Sequence, residues 1–112
     1  MNERDHAYLS DMLDAAREAL GFVQGLGPGA LETDRKLALA LVQELAIIGE
    51  AAGKVSREIA QSAPGIPWPK IVGMRNRLIH GYREIDFEIV WKAVTEDLPP
   101  LMVELERLLG AS

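Results

Sequence analysis

The sequence predicts an all-α fold, an antiparallel bundle of four to five helices, and three observations carry that prediction. Apolar residues recur at three- and four-residue spacing through most of the 112 residues, the period of a helix with one buried face. No stretch alternates with period two for long enough to make a convincing strand. Clusters of glycine and proline, together with capping residues, divide the chain into helix-length segments.

The first segment runs from Arg4 to about Gly25. Its Leu9, Met12, Leu13, Ala16, Leu20 and Val23 share one face, and Gly25, Gly27, Pro28 and Gly29 stop it. Thr33 or Asp34 then offers an N-cap for a longer segment, Arg35 to about Gln61. Its polar positions, among them Lys36, Gln43, Glu50 and Lys54, form a narrow stripe, and the remaining apolar surface is wider than one neighbouring helix can cover. This segment is expected to be the central helix and to touch a second subunit. Pro64, Gly65 and Pro67 break it, and Pro69 suits the first turn of a third helix that ends near Ile79, with Gly81 as its stop. Asp86 caps a last helix, which Pro99 and Pro100 interrupt before it resumes from Leu101 to Leu109. Residues 1–112 are read as one domain.

The composition, 48% hydrophobic and 26% charged with no cysteine, is that of a soluble globular chain. A chain of this size holds a modest core that a second copy would extend. Without cysteine there is no disulfide framework or thiolate nucleophile, and two histidines are too few for a histidine-rich metal cage. Neither a metal nor a cofactor is expected. The polar stretch Met1 to Asp11 is neither a signal peptide nor an anchor, and no apolar run approaches the roughly 18 residues of a membrane span. No membrane partner is expected, and the expected location is the cytoplasm.

A net charge of −5 argues, taken whole, against nucleic acid as a partner. Its distribution argues otherwise. Between Ile59 and Arg83 there is no Asp or Glu, while Lys70, Arg75, Arg77 and Arg83 give that window +4; the rest of the chain, with 8 basic and 17 acidic residues, carries −9.

The chemistry concentrates in that window. On a helical wheel Arg75 falls in the middle of the apolar face made by Ile71, Val72, Met74, Leu78 and Ile79, Arg77 points to solvent, and Asn76 and His80 share one edge at i and i+4. A guanidinium keeps its proton, so a buried one needs a carboxylate, carbonyl oxygens or an anionic ligand. Arginine binds a phosphate through two N–H donors, and histidine moves protons near neutrality. Arg75, Asn76, His80 and Tyr82 thus form a candidate metal-free phosphate site, suited to cleaving RNA by attack of a ribose 2′-hydroxyl on its own phosphodiester. That reaction needs a base and an acid, and a two-fold dimer would supply two copies of His80. A plainer reading stands beside this one: Arg75 pairs with Glu50 or Glu44 of the central helix, and Tyr82 is a packing residue. Trp68 and Trp91 read as core anchors rather than base platforms, and His6 as solvent-exposed.

The run Arg75, Asn76, Arg77, Leu78, Ile79, His80, Gly81, Tyr82 resembles the R-x-x-x-x-H-x-Y signature of the HepT-like branch of the HEPN domains. Its surroundings strengthen the likeness: Ile47 to Ala52, then Ile66, Pro67, Trp68 and Ile71 to Met74 before it, and Ile85 to Trp91 after it. The resemblance implies the toxin of a prokaryotic toxin-antitoxin pair, a metal-independent endoribonuclease whose composite site lies at a homodimer interface. It implies Arg75 and His80 as the catalytic pair, with Asn76 supporting them. It also implies a nucleotidyltransferase antitoxin of the MNT type that transfers AMP onto the motif tyrosine, here Tyr82. An adenylate there would add negative charge and bulk beside Arg75 and repel RNA. Glu50 is expected as a structural partner of Arg75. A reading from another class is a non-catalytic helical module that complexes the nucleotidyltransferase and presents substrate or nucleotide to it; the acidic remainder of the chain favours it.

Overall fold

In the computed structural model, which describes residues 1–81 and 84–110, helix α1 (Glu3–Phe22) starts at Asn2, whose side-chain oxygen accepts from the Asp5 N–H. Leu9, Met12, Leu13, Ala16 and Ala19 turn inward, as the three- and four-residue spacing requires. Gly25, at φ +75°, stands where a residue without Cβ costs least. A four-residue helix, α2 (Ala30–Thr33), precedes Asp34, which caps α3 (Arg35–Lys54) by accepting from the Leu37 N–H at 3.0 Å. Helix α3 is central: it packs against α1 on one side and on the other against α5 (Trp68–Val72) and α6 (Met74–Leu78). Its Ala38, Leu41, Leu45 and Ile48 are wholly buried, and each such Leu or Ile contributes about 1.5–3 kcal/mol of burial.

The long second segment ends earlier than its composition predicts. It stops at Lys54, and Ser56 caps a separate α4 (Arg57–Ser62). The cause lies at the other end of the chain. Asp5, 3% exposed, accepts from the Ser56 backbone N–H at 2.9 Å and from the Ser56 hydroxyl at 2.7 Å. Those two bonds hold its carboxyl below the ordinary aspartate range, and they pull the chain out of helix at the α3–α4 junction.

The third predicted helix also divides. Gly73, at φ −84° and ψ 1°, separates α5 from α6, and α6 ends at Leu78 rather than Ile79. Beyond it lies a hairpin absent from the period analysis: β1 (Ile79–His80) pairs antiparallel with β2 (Glu84–Ile85), Ile79 opposite Ile85 and His80 opposite Glu84. Gly81 opens the turn at φ +69°. It serves the hairpin, not a helix end.

Asp86 caps α7 (Phe87–Lys92) as predicted, its carboxylate accepting from the Ile89 N–H at 3.0 Å. The predicted interruption at Pro99 and Pro100 does not occur. A π-turn over Ala93–Asp97, with the Leu98 N–H bonded to the Ala93 carbonyl, carries the helix into α8 (Leu98–Gly110). The wide turn resets the ladder so that both prolines, which lack N–H donors, fall in the first turn of α8, where donors are not required. Leu9, Met12, Leu45, Met74, Leu78, Val94, Leu98 and Leu105 meet in one buried core.

Gly49 fixes how closely α5 approaches α3. A Cβ placed there would stand 2.9 Å from the Ile71 carbonyl oxygen. Gly49→Ala is therefore expected to cost about 1–3 kcal/mol by overpacking against backbone, seen as a lowered thermal midpoint. An unchanged midpoint would mean that α5 is free to back away.

Candidate functional site

That close approach builds a groove. Helix α3 forms its floor and the α5–α6 turn its wall, enclosing about 620 Å³ lined by Gln43, Ile47, Glu50, Lys54, Val72, Arg75 and Asn76 among others. Ala46, Gly49 and Gly53 keep the floor low. Arg75 and Asn76 are both exposed on α6. The wheel placed Arg75 in mid-face, but the buried stripe runs through Ile71, Met74 and Leu78, and Val72 stands 47% exposed. The buried arc is thus displaced toward Met74, which leaves Arg75 at its edge over the groove. No ion pair holds Arg75 among the described residues. Glu50 lines the same groove without pairing with it, and the expected structural partnership is not formed. An unpaired guanidinium in an open groove, with Lys54 on the floor, is a site for an anion.

Glu44, the other carboxylate considered for Arg75, is buried at 6% exposure and does not line the groove. Burial, together with hydrogen bonding to and repulsion from Glu18 of α1, raises its carboxyl to about 7. Its Oε2 has no hydrogen-bond partner among the described residues.

His80 is not held by the i, i+4 relation to Asn76. The backbone turns extended at Ile79, at φ −120° and ψ 121°, so His80 lies in β1 beyond the helix, and it is not among the groove's lining residues. Its Nε2 is 2.8 Å from Oδ2 of Asp86, with the imidazole side chain 56% exposed. That contact first, and the capping bond from Ile89 second, hold the Asp86 carboxyl below its ordinary range. The sequence marks Asp86 as a cap only; its position opposite the motif histidine follows from the hairpin. Tyr82, together with Arg83 at the window's end, lies outside the described residues.

Among the described residues no cluster of three His, Asp or Glu side chains is arranged to hold a metal ion, and no helix is long and apolar enough to cross a membrane. Residues 12–108 match the protein family described as Ribonuclease HepT-like. The chain belongs to the HepT-like ribonuclease family. That membership makes it an enzyme of the ribonuclease class. A Methanocaldococcus jannaschii protein bearing an RNase name is 35% identical over 95% of this chain and 98% of its own length. "Probable ribonuclease HepT" of Thermococcus cleftensis is 34% identical over 95% and 97%. A further RNase-named protein, from Caldanaerobacter subterraneus subsp. tengcongensis, is 30% identical over 91% of both chains. No solved structure matches the chain.

In this HepT-like chain the two tryptophans serve the fold. Trp68 donates from Nε1 to the Ala63 carbonyl at 3.1 Å, and both rings pack against the core from its edge. His6 is exposed and distant in sequence from the motif. A more apolar cleft of about 270 Å³ lies between the α4–α5 turn and α8, with the Lys70–Asp97 ion pair at its rim. Arg75, Asn76 and His80 are not among its lining residues.

Proposed function

We propose that the protein is the endoribonuclease toxin of a toxin-antitoxin pair, working without a metal as a homodimer of single-domain chains in the cytoplasm. The observation that carries this reading is Arg75, without an ion-pair partner among the described residues, over an open groove and flanked by Asn76. Arg75 binds the scissile phosphate and stabilises the charge that grows on it in the transition state, and Asn76 donates a further hydrogen bond. His80 moves the protons: one copy takes the proton of the 2′-hydroxyl, which attacks the adjacent phosphorus, and the second copy protonates the departing 5′-oxygen. The products are a 2′,3′-cyclic phosphate and a 5′-hydroxyl. Val72, nearly half exposed in the groove's lining, and Leu39, equally exposed one turn before Gln43 on α3, support a second copy docking on this face. Adenylylation of Tyr82 by an MNT-type nucleotidyltransferase antitoxin would silence the site by adding negative charge and bulk to the basic motif.

The test is incubation of RNA with purified protein in chelator, with mass by light scattering and analysis of product ends. A dimer that leaves cyclic phosphate ends is expected. Cleavage only on addition of a divalent ion, or ends bearing a 3′-hydroxyl, would discard the mechanism. The charge of −9 outside the basic window favours one other reading, a non-catalytic module that complexes the nucleotidyltransferase. AMP on Tyr82 after co-expression, with no RNA cleaved under any condition, would establish it instead.

A further inference from the structure

The hairpin brings His80 against a residue to which the motif assigns no role. We propose that Asp86 is a positioning residue for the cleavage reaction, fixing the ring and tautomer of His80 so that Nδ1, and not Nε2, is the nitrogen that exchanges protons with RNA. The proposal rests on the nuclease reading above and adds to it which atom works and what aims it.

Three bonds tie Asp86 in place. Its Oδ1 accepts from the Ile89 N–H at 3.0 Å, its Oδ2 stands 2.8 Å from His80 Nε2, and its own N–H donates to the Leu78 carbonyl at 2.7 Å. The last bond closes the base of the hairpin and sets the spacing between the two side chains. The carboxyl lies below its ordinary range, so at neutral pH it is a carboxylate and can only accept. Nε2 must therefore carry the proton. In the neutral imidazole that leaves Nδ1 with its lone pair free, on a side chain more than half exposed.

The proton inventory then closes. Nδ1 of one His80 takes the 2′-hydroxyl proton as the new oxygen–phosphorus bond forms, and the positive charge that appears on the ring is stabilised by Asp86. The second copy's His80 begins protonated on both nitrogens. It gives its Nδ1 proton to the 5′-oxygen as the old phosphorus–oxygen bond breaks. Each carboxylate keeps its hydrogen bond to Nε2 throughout and does not itself become protonated.

Asp86→Asn separates this role from capping. The amide oxygen can still accept from the Ile89 N–H, and asparagine caps a helix about as well as aspartate. The amide nitrogen then faces His80 and can only donate, so Nε2 must accept and the ring proton moves to Nδ1. Nitrogen-15 NMR of the neutral ring, recorded without RNA, is expected to find the proton on Nε2 in the parent protein and on Nδ1 in Asp86→Asn. In cleavage assays the variant is expected to lose roughly a hundredfold in kcat with KM little changed. Its thermal midpoint should stay near that of the parent; should Asp86→Asn fold poorly, Asp86→Ser, which also caps, takes its place with the same expected loss of kcat. A parent ring protonated on Nδ1, or a folded Asp86→Asn with undiminished kcat, would overturn the proposal. A parent protein inert toward RNA would overturn the nuclease reading instead, and the spectra would still decide the tautomer.

Discussion

Alanine at His80 is expected to reduce metal-free RNA cleavage by roughly a hundredfold or more, the usual worth of a positioned proton-transfer group. Alanine at Arg75 is expected to cost a similar amount, about 3 kcal/mol of transition-state stabilisation, because the charge that develops on the phosphoryl oxygens loses the guanidinium that would bind it. Neither change should unfold the protein. Arg75 and His80 are exposed, and substitutions at such positions fall within about 0.5 kcal/mol in stability. Initial rates on a labelled RNA, measured beside the thermal midpoint, separate the two quantities. Cleavage that persists in both variants would remove this groove and hairpin from the reaction.

Glu44→Gln is expected to stabilise the protein in alkaline solution and to change little in acid. The folded carboxyl titrates at about 7, raised first by burial and then by Glu18, against about 4.3 in an unfolded chain. The folded state therefore binds the proton more tightly. The stability gained is fully present below the unfolded value and is lost as pH rises through about 7. Above that pH the parent holds a buried carboxylate whose Oε2 has no partner among the described residues, at a penalty on the order of 3–4 kcal/mol. Glutamine has nothing to ionise. Thermal midpoints of the two proteins at about pH 5 and about pH 8.5 should diverge only at the higher value, and a variant that gains nothing there would show that Glu44 reaches water.

The parts of this fold that were legible in the sequence are those decided within a few residues. The buried face of α1, the Asp34 and Asp86 caps and the glycine stop at Gly25 each follow from neighbours three or four positions away. The acid-free window and the Arg75 to His80 spacing are equally local. Where elements end was less legible. The α3–α4 break looks like continuous helix in composition, because the group that creates it, Asp5, lies 51 residues from Ser56. The break at Gly73 had a local sign, the glycine itself, yet one glycine in a helical pattern does not announce a stop.

The candidate site divides the same way. Period and spacing by themselves determined a helical fold, a central helix with a wide apolar face and a basic motif bearing one arginine and one histidine. Only the tertiary structure decided that Arg75 stands at the rim of a groove, that Glu44 turns toward α1, and that His80 leaves the helix to meet Asp86. The physical reason is range. Helical periodicity and capping are written between adjacent turns, whereas the partner of a charge or an imidazole is chosen by whichever element packing brings within about 3 Å, and no local pattern records that choice.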